Sequence, residues 1–144
     1  MAGGKGSVFD NDILKLILNG TSIAGIADNA AAAPATNLYL SLHTADPGAG
    51  GNQITSEATY TGYARQAVAR TSGGFTVSGA AATLTAPVVF PIATGGTETE
   101  TWAAVGMASS GSGKLLYRGP ITPSLSVTTG VAPQLTTGTT ITEA

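Results

Sequence analysis

The sequence contains no cysteine, and only 10% of its 144 residues are charged. Without cysteine, neither disulfides nor thiolate metal sites can form. Ordinary soluble domains carry charge on about a quarter of their residues, so an isolated copy of this chain would have a weakly hydrated surface. Apolar residues, at 42%, and 20 glycines take the place of charge. This composition favours a protein that buries much of its surface in an assembly.

Positive charge and long hydrophobic runs are also scarce. The six lysines and arginines are scattered and give a net charge of −2, which argues against a nucleic-acid partner. No apolar run reaches the ~18 residues of a membrane span. Asp10 and Asp12 precede an apolar run at positions 13–18, which is shorter than the h-region of about 7–15 residues in a signal peptide. We therefore expect no membrane partner and synthesis in the cytoplasm without export.

One helix is predicted near the N-terminus. Ser7 or Asp10 can cap it, and Gly20 can end it in a left-handed conformation. Four apolar residues follow the spacing of one helix face: Ile13, Leu14, Ile17 and Leu18.

From Leu38 onward, short β-branched or apolar segments alternate with turns rich in Gly, Pro, Ser and Thr. Strands at intervals of about 8–12 residues are typical of a sandwich or barrel. We predict a mainly β protein, a β-sandwich or jelly-roll-like fold with a short N-terminal helix. Residues 1–37 would be an N-terminal arm and helix, and 38–144 the β-sandwich, in one compact domain. The strands are predicted at 38–44, 63–70, 74–77, 82–84, 88–90, 101–108, 115–118, 125–127 and 139–141.

Large apolar residues within these strands are the predicted core. Trp102 and Val105 lie on opposite faces of a regular strand, so either a bulge separates them or one of them faces a partner. The core candidates are Phe75, Leu84, Phe90, Trp102, Val105, Met107 and Leu116.

His43 is the only histidine and ends the segment with the clearest strand alternation. A hydrolytic mechanism needs a nucleophile within hydrogen-bond reach of the base. Ser41 lies on the same strand face at about 6–7 Å, and no Gly-x-Ser-x-Gly elbow is present. We expect His43 to be a half-buried residue that binds the following turn. The sequence therefore predicts no enzymatic activity, no catalytic residues and no cofactor.

Other acidic and glycine-rich segments do not complete a site. Asp46 and Glu57 have the spacing of a calcium loop, but its third and fifth positions are Gly48 and Gly50, so at most a weak surface ion is expected. Positions 108–115 lack the residues of a phosphate loop and predict a flexible hairpin. Glu98 and Glu100 share one side of an extended stretch, which suggests a solvated rim or a contact with a partner's basic patch.

Aromatic residues beside glycine and arginine are enriched at interfaces, and they equally suit the edge of a β core. On this basis we predict five partner-contact residues: Lys5, Tyr60, Tyr63, Arg65 and Trp102.

The segment 40–48, Leu-Ser-Leu-His-Thr-Ala-Asp-Pro-Gly, resembles a family of small bacteriophage virion proteins labelled tail-fibre-like or capsid decoration proteins. The resemblance extends over roughly residues 10–142. Further segments carry it: Gly51-Asn52, Glu57, Gly62-Tyr-Ala-Arg65, Val68, Ala104-Val-Gly106, 109–113 and Leu115-Leu-Tyr-Arg-Gly119.

The resemblance implies a structural protein of the virion, made in the host cytoplasm, with a β-sandwich or jelly-roll-like body. The lack of a repetitive or coiled-coil shaft favours a head decoration (cement) protein on the capsid surface. It would bind the major capsid protein and bridge capsomers as a homotrimer, or else as a dimer. The alternative is a tail-fibre, tail-tip or baseplate module that binds a host receptor, for which Tyr60, Tyr63 and Glu57 should form an exposed cluster. A hydrolase using His43 ranks third.

Overall fold

A computed structural model describes residues 7–23 and 34–143 of the chain. These residues form one helix and nine strands, and 41% of the described residues are in strands and 9% in the helix. The prediction of a mainly β fold with a short N-terminal helix is therefore confirmed. The sandwich or jelly-roll arrangement stays a prediction.

The strands form three sheets, with the orders β2-β1-β6-β7, β3-β4-β9 and β5-β8. The pairings with a described register are all antiparallel. The elements are α1 Ser7–Leu18, β1 Asn37–His43, β2 Gln66–Ala69, β3 Phe75–Ser78, β4 Ala81–Leu84, β5 Val88–Val89, β6 Glu98–Gly106, β7 Leu115–Val127, β8 Gln134–Leu135 and β9 Thr140–Thr142.

The chain divides into two compact units built from discontinuous segments. Unit 1 takes in the described residues of Met1–Thr36, Ala69–Pro87 and Thr136–Ala144, and unit 2 consists of Asn37–Val68 and Val88–Leu135. The expected division at residue 37 stays a prediction. Within unit 1, the helix bonds to Arg70 and Gly79, which follow much later in the chain.

In unit 1, α1 lies against β3 and β4. Its residues Leu14 and Leu18 are fully buried, as are Phe75 and Ala82 from the sheet. Predicted positions on the helix face thus supply the core of this unit, as the 3.6-residue period requires.

Arg70 holds the C-terminal end of α1. Its Nε donates to the carbonyl of Ile17 at 2.6 Å, and one Nη donates to that of Leu16. Gly20 follows with a φ of 67°, the left-handed conformation expected after a helix. Because the last carbonyls of a helix have no partner inside it, the guanidinium both satisfies them and opposes the negative end of the helix dipole.

In unit 2, β1 pairs with β6, and β6 pairs with β7 in a long hairpin. The register of β6 with β7 shifts between Glu100 and Trp102. The two segments predicted at 115–118 and 125–127 are one strand of 13 residues, because proline is tolerated on a strand at the edge of a sheet and at bulges. Pro120 and Pro123 lie between the two predicted segments.

Most of the predicted core is confirmed: Phe75, Leu84, Phe90 and Val105 are buried. The prediction for Met107 is wrong, because this residue follows the end of β6 and is 43% exposed. No register shift lies between Trp102 and Val105, so their side chains point to opposite faces. Trp102 is the half-exposed one of the two.

We expect Arg70→Gln to destabilise α1 by about 2 kcal/mol, because charge-assisted hydrogen bonds to the helix carbonyls are lost. Hydrogen exchange of the α1 amides measures the effect. Lys15→Gln is the matched control, since it removes a positive charge from the same last turn and should cost at most ~1 kcal/mol through the helix dipole. Equal exchange in both variants would contradict the capping role.

Candidate interaction surface

The loop after β1 covers the strand face that the sequence suggests is open to solvent. Ser41 and His43 are both 0% exposed. The His43 Nδ1 lies 2.9 Å from the carbonyl oxygen of Thr55, within that loop. The expectation that His43 binds the following turn is confirmed, but the histidine is fully rather than half buried.

The predicted separation of Ser41 from His43 is wrong. The Ser41 Oγ and His43 Nε2 are 2.9 Å apart, because side chains two residues apart on one strand face can lean toward each other. Since Nδ1 must donate to the Thr55 carbonyl, Nε2 is the acceptor and the serine hydroxyl donates. Burial lowers the pKa of His43, outweighing the Thr55 carbonyl, which raises it. The ring is therefore neutral and serves to hold the loop.

Arg65 and Glu57 form a two-pronged ion pair inside unit 2. The Arg65 Nε lies 2.6 Å from Glu57 Oε1, and an Nη lies 2.8 Å from Oε2. The guanidinium also donates to the carbonyls of Ala108 and Gly111, at 2.9 and 2.7 Å. Only 2% of the Arg65 side chain is exposed. The arginine thus fastens the β6–β7 hairpin loop to the segment after β1.

Both tyrosines of this segment are engaged inside the same unit. The Tyr63 hydroxyl donates to Glu57 Oε1 at 3.0 Å and accepts from the Leu42 amide at 3.1 Å. The Tyr60 hydroxyl donates to the Pro91 carbonyl at 3.0 Å. The two rings meet edge to face, and Tyr63 stacks on Phe90. Burial raises the pKa of Tyr60 to about 12 and that of Tyr63 further, so both phenols are neutral.

Gln53 closes the hairpin loop from the other side. The side-chain Oε1 of Gln53 accepts from the Ala108 amide at 2.9 Å. The backbone N–H of Gln53 donates to the Gly113 carbonyl at 2.9 Å. A Cβ at Gly113 would lie 2.0 Å from Gln53 Oε1, and one at Gly106 would lie 2.1 Å from its Cδ. Gly113, within the hairpin predicted to be flexible, and Gly106, just before it, are therefore places of close approach, and the loop is fastened at Gln53.

The acidic residues are mostly used inside unit 2. Glu98 accepts from the amides of Thr59 and Tyr60, both at 2.8 Å, and Glu100 is 0% exposed. The expectation of a solvated rim is wrong for Glu100, because the strand turns this side chain inward. Burial raises the pKa of Glu98, but hydrogen bonds from the Tyr60 and Thr59 amides outweigh it and lower the pKa overall.

Asp46 and Glu57 are held by arginines and backbone rather than left free for an ion. Asp46 Oδ1 accepts from the Gly48 amide at 2.8 Å and pairs with Arg118. In residues 7–23 and 34–143, no group of three or more acidic, histidine or cysteine side chains could hold a metal ion. Nor is any helix of this described part long and apolar enough to cross a membrane.

The predicted contact residues thus lie in different settings. Tyr60 and Arg65 are buried, Tyr63 is half-buried, and Trp102 lies partly at the surface. Lys5 lies outside the described residues. The burial of Tyr60 and Arg65 leaves them little area for a partner, whereas Trp102 stays a predicted contact.

Trp102 belongs to a surface group that we call the Trp102 patch, formed by Trp102, Arg118 and Asp46. The Arg118 guanidinium carbon lies 5.5 Å from the centre of the indole ring. The side chains of Arg118 and Asp46 are 30% and 42% exposed. Sequence reasoning missed Arg118 and the link to Asp46, since the strand alternation does not reveal how β6 and β7 are paired.

Isolated apolar side chains add to the exposed surface of unit 2. Ile54, Val89 and Ile92 are each 53% exposed, and Met107 is 43% exposed. Scattered singly, such residues are ordinary on a protein surface and do not mark an interface by themselves. The side chains of His43, Glu57 and Arg65 in this unit are bonded internally.

These features define a class, a β-rich structural protein that acts through its surface. A family model described as "Podophage GP4 fiber I protein gp80" matches residues 7–143. The chain belongs to this family of phage virion structural proteins and is a component of the virion. The resemblance seen in the sequence is confirmed. No curated protein matches the chain.

We expect Arg65→Lys to destabilise the protein by about 2–3 kcal/mol, because lysine keeps the charge but cannot reproduce the two-pronged bond to Glu57 and the bonds to both loop carbonyls. Urea denaturation measures the loss. Arg118→Lys is the matched control, because the exposed pair with Asp46 should contribute at most ~1 kcal/mol. A small effect at both positions would mean that the Glu57–Arg65 pair does not hold the fold.

The imidazole of His43 should titrate below 6.5, its ordinary pKa. Because the unfolded chain then binds a proton more readily than the folded one, His43 weakens the fold as pH falls below 6.5. With one histidine in the chain, NMR follows a single imidazole. The same protein in concentrated urea is the control. A folded-state midpoint at or above the denatured one would contradict the structural role.

Proposed function

We propose that this virion structural protein is a decoration (cement) protein, which binds the major capsid protein on the outer capsid surface and bridges neighbouring capsomers. The observation that carries the proposal is the Trp102 patch. Tryptophan and arginine are the residues most enriched among binding hot spots, and here the indole ring and guanidinium are already stacked. A side chain that is ordered before binding loses less entropy when the complex forms.

Shell stabilisation follows from linkage. A protein that binds the assembled shell more tightly than separate capsomers shifts the equilibrium toward the shell by mass action. With 10% charged residues, the contact would rest on apolar and backbone groups rather than on a lattice of ion pairs. A homotrimer, or else a dimer, on a symmetry axis would multiply modest contacts through avidity.

Neither catalysis nor cofactor binding is part of this proposal. The one Ser–His contact is wholly buried, so a substrate cannot reach it. Nucleic acid and membrane are likewise not proposed as partners, on the grounds of charge and composition.

A place on a fibre is the second candidate, and the description of the matched family as a fibre protein favours it. In that place the Trp102 patch would join the protein to the fibre or tail. Receptor binding through Tyr60, Tyr63 and Glu57 has less support, because their hydroxyl and carboxylate groups bond within unit 2.

Copy number and position on the particle separate the two candidates. Cryo-EM of the virion, combined with quantitative mass spectrometry, should find hundreds of copies over the head for a decoration protein. A handful of copies confined to the tail or its fibres would overturn the decoration proposal and support the fibre.

Trp102→Ala should weaken binding to particles that lack the protein by roughly 30-fold, as expected for a hot spot of about 2 kcal/mol. Sedimentation of the particles with bound protein measures the affinity. Lys114→Ala is the control. Lys114 is exposed in the loop that joins β6 to β7, and the variant should bind as the wild type does. Unchanged binding by a folded Trp102→Ala protein would remove the patch from the contact.

A further inference from the structure

Glu100 is a fully buried carboxyl group without a hydrogen-bond donor. It is 0% exposed, and neither of its oxygens accepts a hydrogen bond from a donor group among the described residues. An ionised carboxylate in such a place loses its hydration without compensation, which is among the costliest arrangements in a protein. The group must therefore be neutral or be relieved by a local opening.

The neighbour that acts on Glu100 adds negative charge, and no positive group of the described residues offsets it. Glu98 lies two residues earlier on β6 and on the same side of the strand. Tyr60 is the ionisable group that faces the pair from the segment opposite, and the presence of Glu100 and Glu98 raises its pKa. On β7, Glu100 pairs with Leu125, and the neighbouring partners of Thr99 and Glu98 are also uncharged.

The two carboxyl groups have different partners. Glu98 accepts the amides of Thr59 and Tyr60 and the Thr59 hydroxyl, all of which favour its charged form. Glu100 has none of these donors. A proton shared between them thus resides on Glu100, while the charge resides on Glu98. A hydrogen bond between the two side chains lowers the pKa of Glu98 and raises that of Glu100. Once both groups are ionised, charge repulsion replaces this bond.

We propose that Glu98 and Glu100 form a proton-held latch, in which protonated Glu100 lets Glu98 hold Thr59 and Tyr60 against β6. Loss of the Glu100 proton at alkaline pH places a second negative charge beside Glu98. Opening of the contact between Glu98 and the Thr59–Tyr60 amides then admits water to Glu100. The latch rests on unit 2 alone and does not depend on where the protein sits on the virion.

The titration of Glu100 supports this direction. Burial first, and the neighbouring Glu98 second, raise the pKa of Glu100 from 4.5 to about 8. The raised pKa means that the closed state binds a proton which the open state releases. The stability of the closed latch is therefore complete below pH 4.5 and declines as pH rises through about 8.

Hydrogen exchange of the Thr59 and Tyr60 amides tests the latch in the full-length protein. At each pH, the exchange rates give the equilibrium constant for opening of the latch in the wild type and in Glu100→Gln. The ratio of the wild-type constant to the variant constant should rise about tenfold per pH unit above 4.5, until Glu100 ionises in the folded state near pH 8. The glutamine variant keeps the shape and cannot ionise, and the ratio cancels the intrinsic pH dependence of exchange. A ratio that does not change between pH 5.5 and roughly 8 would overturn the proposal.

A direct carboxyl titration by carbon NMR covers the case in which Glu100→Gln does not fold. In the wild type, one glutamate should titrate several units above the others, and Glu98→Gln should lower that midpoint by removing the neighbouring charge. If every glutamate titrates near 4.5, the ordinary value, the latch does not exist.

Discussion

The Arg65 guanidinium makes four hydrogen bonds inside unit 2, to both oxygens of Glu57 and to the carbonyls of Ala108 and Gly111. Through these bonds the segment after β1 and the β6–β7 hairpin loop are held by one side chain. Glu57 in turn accepts the hydroxyl of Tyr63, which places the stacked ring against Phe90. The contacts of Tyr63 therefore depend on the Glu57–Arg65 pair. Removing either partner would leave the other charge unpaired inside the unit, which is strongly destabilising.

The chain's few charges are concentrated in such internal roles. Arg65, Glu57, Glu98 and Glu100 lie wholly or partly inside unit 2, and Arg70 caps the helix in unit 1. Less charge is then left for the surface than the composition alone suggests. The exposed part carries isolated apolar side chains and the Trp102 patch, which suits a protein that functions when packed against other virion proteins.

Strand β6 carries both the proposed Glu98–Glu100 latch and Trp102. Glu98 and Glu100 lie near its beginning, and Trp102 follows after the register shift. The buried acid and the exposed indole therefore lie on one short stretch of backbone. On this strand, the protonation of Glu100 is proposed to govern the hold on Thr59 and Tyr60, while Trp102 stays a predicted partner contact.

Local patterns were enough to locate most strands, the helix and the aliphatic core, because these depend on periodicity and turn residues within a few positions. Phe75, Leu84 and Phe90 were predictable for that reason. The alternation in β1 also predicted a polar face at Ser41 and His43, but it could not show that a loop covers that face.

By itself, the sequence determined the mainly β class, the family and the lack of thiol chemistry, all of which follow from composition and short segments. Only the tertiary structure decided that Arg65 is an internal fastener, that Glu100 is buried and that Arg118 meets Asp46. The last pair is separated by 72 residues in the chain. Such contacts depend on strand register and loop placement, and these are set by the packing of the whole unit rather than by any local pattern.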